Sequence, residues 1–228
     1  MRLRSMVISA CVLSLSGPAS AQEWKEYASR QDGFTANFPG EPTITETTYK
    51  SEFGADLPAR VYSASLGPSR FSMTVVDYSR IEPILIEKSK SCPPGAETCL
   101  GNQNALSSTG AGYWRADLAG AVIYATWTFM QRDAKMTHFL WTNMDLVGGH
   151  QLQMTNNKDR SRTQAGIYMH QNKLYILEGT APEGYPEPGL FDQSLGWIDE
   201  NGRPFRYTSL YVNGFPAPQR RTGSGIGN

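Results

Sequence analysis

An α+β fold, with an antiparallel, meander-rich sheet covered by one or more helices, is the architecture that this sequence predicts. Three features carry the prediction: short runs in which apolar and polar residues alternate, turn residues between consecutive runs at the spacing of a meander, and one apolar stripe of helical period near the C-terminus. An all-β barrel or sandwich is the alternative, because strand signals outnumber helix signals.

Phe34, Ala36 and Phe38 alternate with Thr35 and Asn37, between the turn Gln31-Asp32-Gly33 and the stop Pro39-Gly40. The Thr-rich run 43–49 ends on Tyr49 and suits a half-exposed strand. Runs 60–66 and 70–78 flank Gly67-Pro68-Ser69 and read as a hairpin, with Phe71, Met73 and Val75 on one face. The stretch 81–120 is less regular: 81–90 reads as a helix or an irregular crossing, and 113–118 as a short helix. Runs 122–131 and 136–145, joined by Arg132-Asp133-Ala134-Lys135, read as strands. A helix over 114–130 competes with the first of them. Val122, Ile123, Tyr124, Thr126, Trp127, Thr128 and Phe129 are β-branched or aromatic almost without a break, which favours the strand. Strands over 150–155, 162–169 and 174–179 follow, separated by polar turns. Phe191, Leu195 and Ile198 then fall at i, i+4 and i+7, widened by Leu190 and Trp197. This predicts a helix that docks its Leu190, Phe191, Leu195 and Ile198 side on the sheet. A last strand is expected over 204–212, and 218–228 reads as a flexible Gly/Ser/Arg tail.

The chain of 228 residues is 39% hydrophobic and 18% charged, with 21 basic and 21 acidic side chains. These values exclude collagen-like, coiled-coil and disulfide-dense miniprotein classes, and a zero formal charge supplies no polybasic surface for nucleic acid. Residues 1–21 read as a secretory signal: Arg2 and Arg4, a short apolar core, then Ala19-Ser20-Ala21. Cleavage after Ala21 places the mature start at Gln22 and the protein in the periplasm or outside the cell. Ile8-Ser9-Ala10-Cys11 imitates a lipobox, but too few apolar residues precede it. Residues 22–217 form one globular domain. Its longest mostly apolar run, 119–130, is too short and too rich in Thr to span a bilayer. Cys92 and Cys99 remain after cleavage, and in an oxidising compartment they read as a disulfide closing a small loop.

No catalytic residue, metal site or cofactor is assigned. A Gly-x-Ser-x-Gly elbow, a His-Glu-x-x-His helix and a phosphate-binding loop are all missing from the sequence. Gly223-Ser-Gly225-Ile-Gly227 imitates a nucleotide loop, but it lies in the tail. His138, His150 and His170 sit at unrelated spacings. His150 shares strand parity with Leu152 and Met154 and reads as a half-buried packing residue, whereas His170 reads as a solvated hairpin end. Asp145, Glu178, Glu187 and Asp192 are carboxylates that a fold could gather. Tyr113, Trp114, Tyr124, Trp127, Phe129, Phe139 and Trp141 read as sheet core in preference to a ligand cleft. Arg220 and Arg221 read as part of a solvated terminus.

Three segments, Phe34-Thr-Ala-Asn-Phe-Pro-Gly-Glu-Pro42, Asn172-Lys-Leu-Tyr-Ile-Leu177 and Phe191-Asp-Gln-Ser-Leu195, flank a hairpin-rich middle in an order that resembles the PsbP-like proteins. The resemblance spans most of the mature chain as order and spacing, and it carries no functional residue across. It implies an exported or lumenal domain, an antiparallel sheet between helices, and a role as a binding or assembly accessory. The expected function is therefore an exported, non-enzymatic domain that binds a protein partner or small ligand. The competing expectation is a hydrolase or other enzyme whose site is assembled from distant strands.

Overall fold

The structure is a computed structural model that describes residues 24–104 and 106–222. The expected signal, the mature start at Gln22, Cys11 and Gly223 to Gly227 lie outside the described residues. The chain runs through β1 (Trp24–Ser29), β2 (Phe34–Pro39), β3 (Thr43–Lys50), β4 (Asp56–Leu66) and β5 (Ser69–Asp77), then α1 (Ile81–Ser89), α2 (Glu97–Leu100) and α3 (Trp114–Met130). It continues through β6 (Ala134–Met144), β7 (Val147–Asn156), β8 (Arg162–His170), β9 (Lys173–Ala181), α4 (Gly189–Asp192), β10 (Gly196–Ile198), β11 (Pro204–Tyr207) and β12 (Arg220–Thr222).

The strands form two antiparallel sheets, one of seven strands in the order β3-β4-β5-β9-β8-β7-β6 and one of five in the order β1-β2-β10-β11-β12. Neither closes into a barrel, and the fold is α+β. Each face of the larger sheet buries its own apolar set, as strand alternation requires. On one face Val76, Leu152, Met154, Ala165, Ile167 and Leu174 pack under α1 and α3. On the other, Tyr62, Phe71, Met73, Tyr175 and Leu177 meet Phe34, Phe38, Trp197 and Phe205 of the smaller sheet. The layers are thus helix, sheet, sheet. The sheet-between-helices arrangement holds on one face only, the second cover being a small sheet.

The hairpin of β4 and β5 pairs Leu66 with Ser69 across Gly67, whose φ of 55° is the left-handed conformation that glycine adopts without strain. Residues 81–90 resolve as the helix α1, with Ile81, Leu85 and Ser89 buried at i, i+4 and i+8. Cys92 and Cys99 are joined, with Cα atoms 5.8 Å apart. Among the described residues, no helix is long and apolar enough to cross a membrane.

Three expectations are corrected. Residues 122–131 are not a strand but most of α3, whose first turns also absorb the short helix expected over 113–118. The face of α3 turned to the sheet is Asp117, Ala121, Ala125 and Phe129, an i+4 row in which two alanines let the helix approach closely. Propensity lost to tertiary packing: the β-branched and aromatic side chains mostly point elsewhere, and Ile123 and Trp127 are exposed. The helix expected over 190–198 is a single turn, α4, followed by strand β10. Gly196 and Trp197 pair with Thr35 and Phe34, and a Cβ on Gly196 would sit 2.7 Å from Thr35 Oγ1, closer than any side chain tolerates. Phe191, Leu195 and Ile198 are buried all the same, but Leu190 is 73% exposed. Lastly, Arg220–Thr222 pairs with β11, so part of the expected tail is strand, and the Arg220 guanidinium lies 4.3 Å from the centroid of the Phe205 ring.

Candidate functional site: an apolar groove beside α3

The structure separates the three histidines. His150 faces the helices with Leu152, whereas His138 pairs with Gln153 on the opposite side of the pleat and is exposed. His170 faces the smaller sheet. It was expected to be solvated but is 2% exposed: its Nε2 shares a 2.8 Å hydrogen bond with Tyr207 Oη, and Trp197, Phe205 and Tyr211 surround the ring. Burial, reinforced by the charges of Arg220 and Lys173, pushes its pKa down to about 3. The four carboxylates do not gather either. Asp145 pairs with Arg206 at 2.9 Å, Glu178 with Arg132 at 2.6 Å and Glu187 with Arg162 at 2.5 Å, while Asp192 accepts a hydrogen bond from Gln151 Nε2. Among the described residues no group of three or more His, Cys, Asp or Glu comes within metal-holding reach.

Two buried aspartates that carried no sequence signal hold layers together. Asp32 joins β1, β2 and the larger sheet: it pairs bidentately with Arg60, accepts from Tyr62 Oη at 2.6 Å and lies 3.2 Å from Lys173 Nζ. Burial by itself raises its pKa, but the hydrogen bonds from Arg60 and Tyr62 with the charge of Lys173 outweigh it, and the carboxyl lies below the usual range. Asp117 accepts from Ser51 Oγ at 2.5 Å and from the Phe53 amide at 3.2 Å, clamping α3 to the chain after β3. Burial raises its pKa. Both networks explain packing.

The cavity worth naming is a groove of about 690 Å³ between α3, the β6–β7 hairpin and the segment 210–215. One wall is a second stripe of α3, Arg115, Leu118, Ala119, Val122 and Ile123, at i, i+3, i+4, i+7 and i+8. The opposite wall is Trp141 of β6, seated against Gly148, where a Cβ would stand 3.4 Å from the Trp141 ring. Gly149 is obligatory next to it, because Tyr168 and the Ile167 carbonyl occupy the space a side chain needs. The third wall carries Leu210, Val212 and Phe215. It is anchored by the Tyr211 amide on Leu146 O at 2.7 Å, by Tyr211 Oη accepting from the Gln171 amide at 2.9 Å, and by Asn213 on Asn172. Ile123, Trp141, Leu210, Val212 and Phe215 are all more than two-fifths exposed.

Polar groups are few in the groove and have definite roles. Thr126 Oγ1 donates its single proton to Val122 O at 2.8 Å, so its 2.8 Å contact with His150 Nδ1 requires the imidazole to donate there. The Nε2 lone pair of His150 is thereby left as an acceptor, and burial holds the pKa of this ring below the usual histidine value. Arg115 gives one N–H to Ser107 O at 3.1 Å, and its guanidinium lies 4.9 Å from the Trp114 ring centroid. Among the described residues no carboxylate lines the groove.

Of the aromatic residues expected as sheet core, Phe129 is core, Trp114 and Trp141 line the groove, and Trp127 and Phe139 are exposed. The half-buried reading of His150 agrees with its place between Thr126 and the Phe139 ring. Residues 210–215 and Gly148-Gly149 were not singled out. Residues 210–212 fall in the strand expected over 204–212, which the structure ends at Tyr207.

No family model matches the chain, and no curated protein does. Among solved structures it is similar to cyanobacterial PsbP (CyanoP) from Synechocystis sp. PCC 6803, at 15% identity, covering 82% of this chain and 99% of that one with a TM-score of 0.43.

Proposed function

We propose that this protein is an exported, non-enzymatic binding domain, and that the groove beside α3 receives an apolar ligand. The observation that carries the reading is the contiguity of Ile123, Trp141, Leu210, Val212 and Phe215, large apolar side chains left in water around one concavity. Water contact at such a patch is unfavourable by roughly 25 cal/mol per Å², and an exposed patch of this kind is characteristic of a binding surface. The walls are preformed: α3 is locked by Asp117, and the third wall is tied down through Tyr211 and Asn213. A rigid, mainly apolar concavity of a few hundred Å³ is the common form of a small-molecule site. The titratable side chains that line it are Arg115, His150 and Tyr211. The disulfide supports an oxidising compartment.

The test uses a neutral apolar dye, N-phenyl-1-naphthylamine, titrated into the protein. A saturable, single-site rise in dye emission is expected. Trp141→Ala should weaken it at least tenfold, whereas Trp127→Ala, exposed on α3 but outside the groove, should leave it unchanged. Absence of saturable binding, or equal loss in the two variants, overturns the reading.

A further inference from the structure

Among the described residues that line the groove, Arg115 alone carries a full charge, and it lies at one end. Its α3 wall begins with Arg115 and runs through Leu118, Ala119, Val122 and Ile123, about 12 Å along the helix at 1.5 Å per residue. Trp141, Val212 and Phe215 line the same groove as that apolar stretch. Toward the other end, His150 presents a neutral imidazole whose Nε2 is an acceptor, since Nδ1 donates to Thr126. An anionic group would be repelled by that lone pair and attracted to the guanidinium.

Among the described residues Arg115 makes no salt bridge, and no acidic side chain lines the groove. Its guanidinium is held in place by Trp114 and by the Ser107 carbonyl. One of its five N–H donors is engaged there, and a planar fork of N–H groups matches a carboxylate in shape and charge. A cation held beside an apolar wall, with no carboxylate paired to it among the described residues, is complementary to a ligand with one negative head and an apolar body.

We infer that the groove selects an apolar monocarboxylate of medium length, with its carboxylate on Arg115 and its chain laid along Leu118, Val122 and Ile123 beneath Trp141. The inference rests on the groove being a binding site, and it adds the chemical class and the orientation of the ligand.

Displacement of N-phenyl-1-naphthylamine from the protein by decanoate, decanol and decylamine, each kept below its aggregation limit at pH 7.5, tests it. Decanoate should displace the dye at a concentration at least tenfold lower than decanol, and decylamine should be the weakest. Arg115→Gln should bring decanoate and decanol to equal potency, each read relative to that variant's own dye affinity, and Arg115→Lys should restore part of the preference. If decanol equals decanoate on the unaltered protein, selection by charge is refuted while the groove remains a binding site. Failure of the dye to bind refutes both. The comparison of the three ligands on the unaltered protein decides the matter even if an Arg115 variant does not fold.

Discussion

Phe191→Ala is expected to destabilise the domain by about 3–5 kcal/mol, the usual range for an emptied aromatic core site. The ring is fully buried, and it meets Phe38 of β2 with centroids 5.0 Å apart and Phe71 of β5 at 5.5 Å, both edge-on. Each such pair contributes about 0.5–1.5 kcal/mol beyond area burial, so the substitution loses two pairs along with the transfer term. The site cannot collapse readily, because Phe38 and Phe71 belong to different sheets, each held by its own backbone ladder. The assay is urea unfolding followed by tryptophan emission and far-ultraviolet dichroism, with coincident transitions and an unchanged denaturant slope as the check on two-state behaviour. Leu190→Ala, one residue away but exposed, should change stability by no more than about 0.5 kcal/mol. A loss below about 1 kcal/mol for Phe191→Ala would refute the packing between sheets. An equal loss for the two variants would refute the single turn and restore a continuous helix with both residues on its docking side.

His170 is held neutral in the fold with a pKa of about 3, against about 6.5 when unfolded, so the unfolded state takes up the proton first. Its contribution should make stability fall by up to about 1.4 kcal/mol per pH unit between pH 6 and 3.5, a slope that His170→Gln, if folded, should lack in urea titrations at successive pH values. Asp32→Asn should cost about 3–5 kcal/mol at pH 7 by leaving Arg60 and Lys173 without their carboxylate. Because the folded pKa of Asp32 is depressed, its stabilisation is present above the unfolded value near 4 and is lost as pH falls through the folded value; the gap between parent and variant should therefore narrow in acid. Reduction of the Cys92–Cys99 bond should lower stability by at most about 2.5 kcal/mol, since so short a loop constrains the unfolded chain little, and a larger loss would give the loop a structural role beyond tethering. Edman sequencing of the exported protein should begin at Gln22, and a diacylglyceryl group on Cys11 would refute that processing.

What the sequence by itself determined is what depends on neighbours along the chain. Alternation at Phe34, Ala36 and Phe38, at Phe71, Met73 and Val75, and in the runs that became β7, β8 and β9 is a period-2 signal written within a few residues, and the short polar turns between them leave antiparallel pairing as the simple outcome. The bond between Cys92 and Cys99 was legible for the same reason: two thiols seven positions apart cannot stray far from each other. The tertiary structure decided the rest, where side chains meet that are remote in sequence. The sheet-facing row of α3 is an aspartate, two alanines and a phenylalanine, and its helical period shows only once the sheet beneath selects small residues. Leu190 and Phe191 part company because β2 draws the chain after Ser194 into strand pairing. His170 ends a hairpin, as expected, and is buried because Trp197, Phe205, Tyr207 and Tyr211 close over it. The groove was least legible of all: it joins Arg115 through Ile123, Trp141, Gly148 to His150 and Leu210 through Phe215, and no local period can report a surface that exists only after three separate segments have packed.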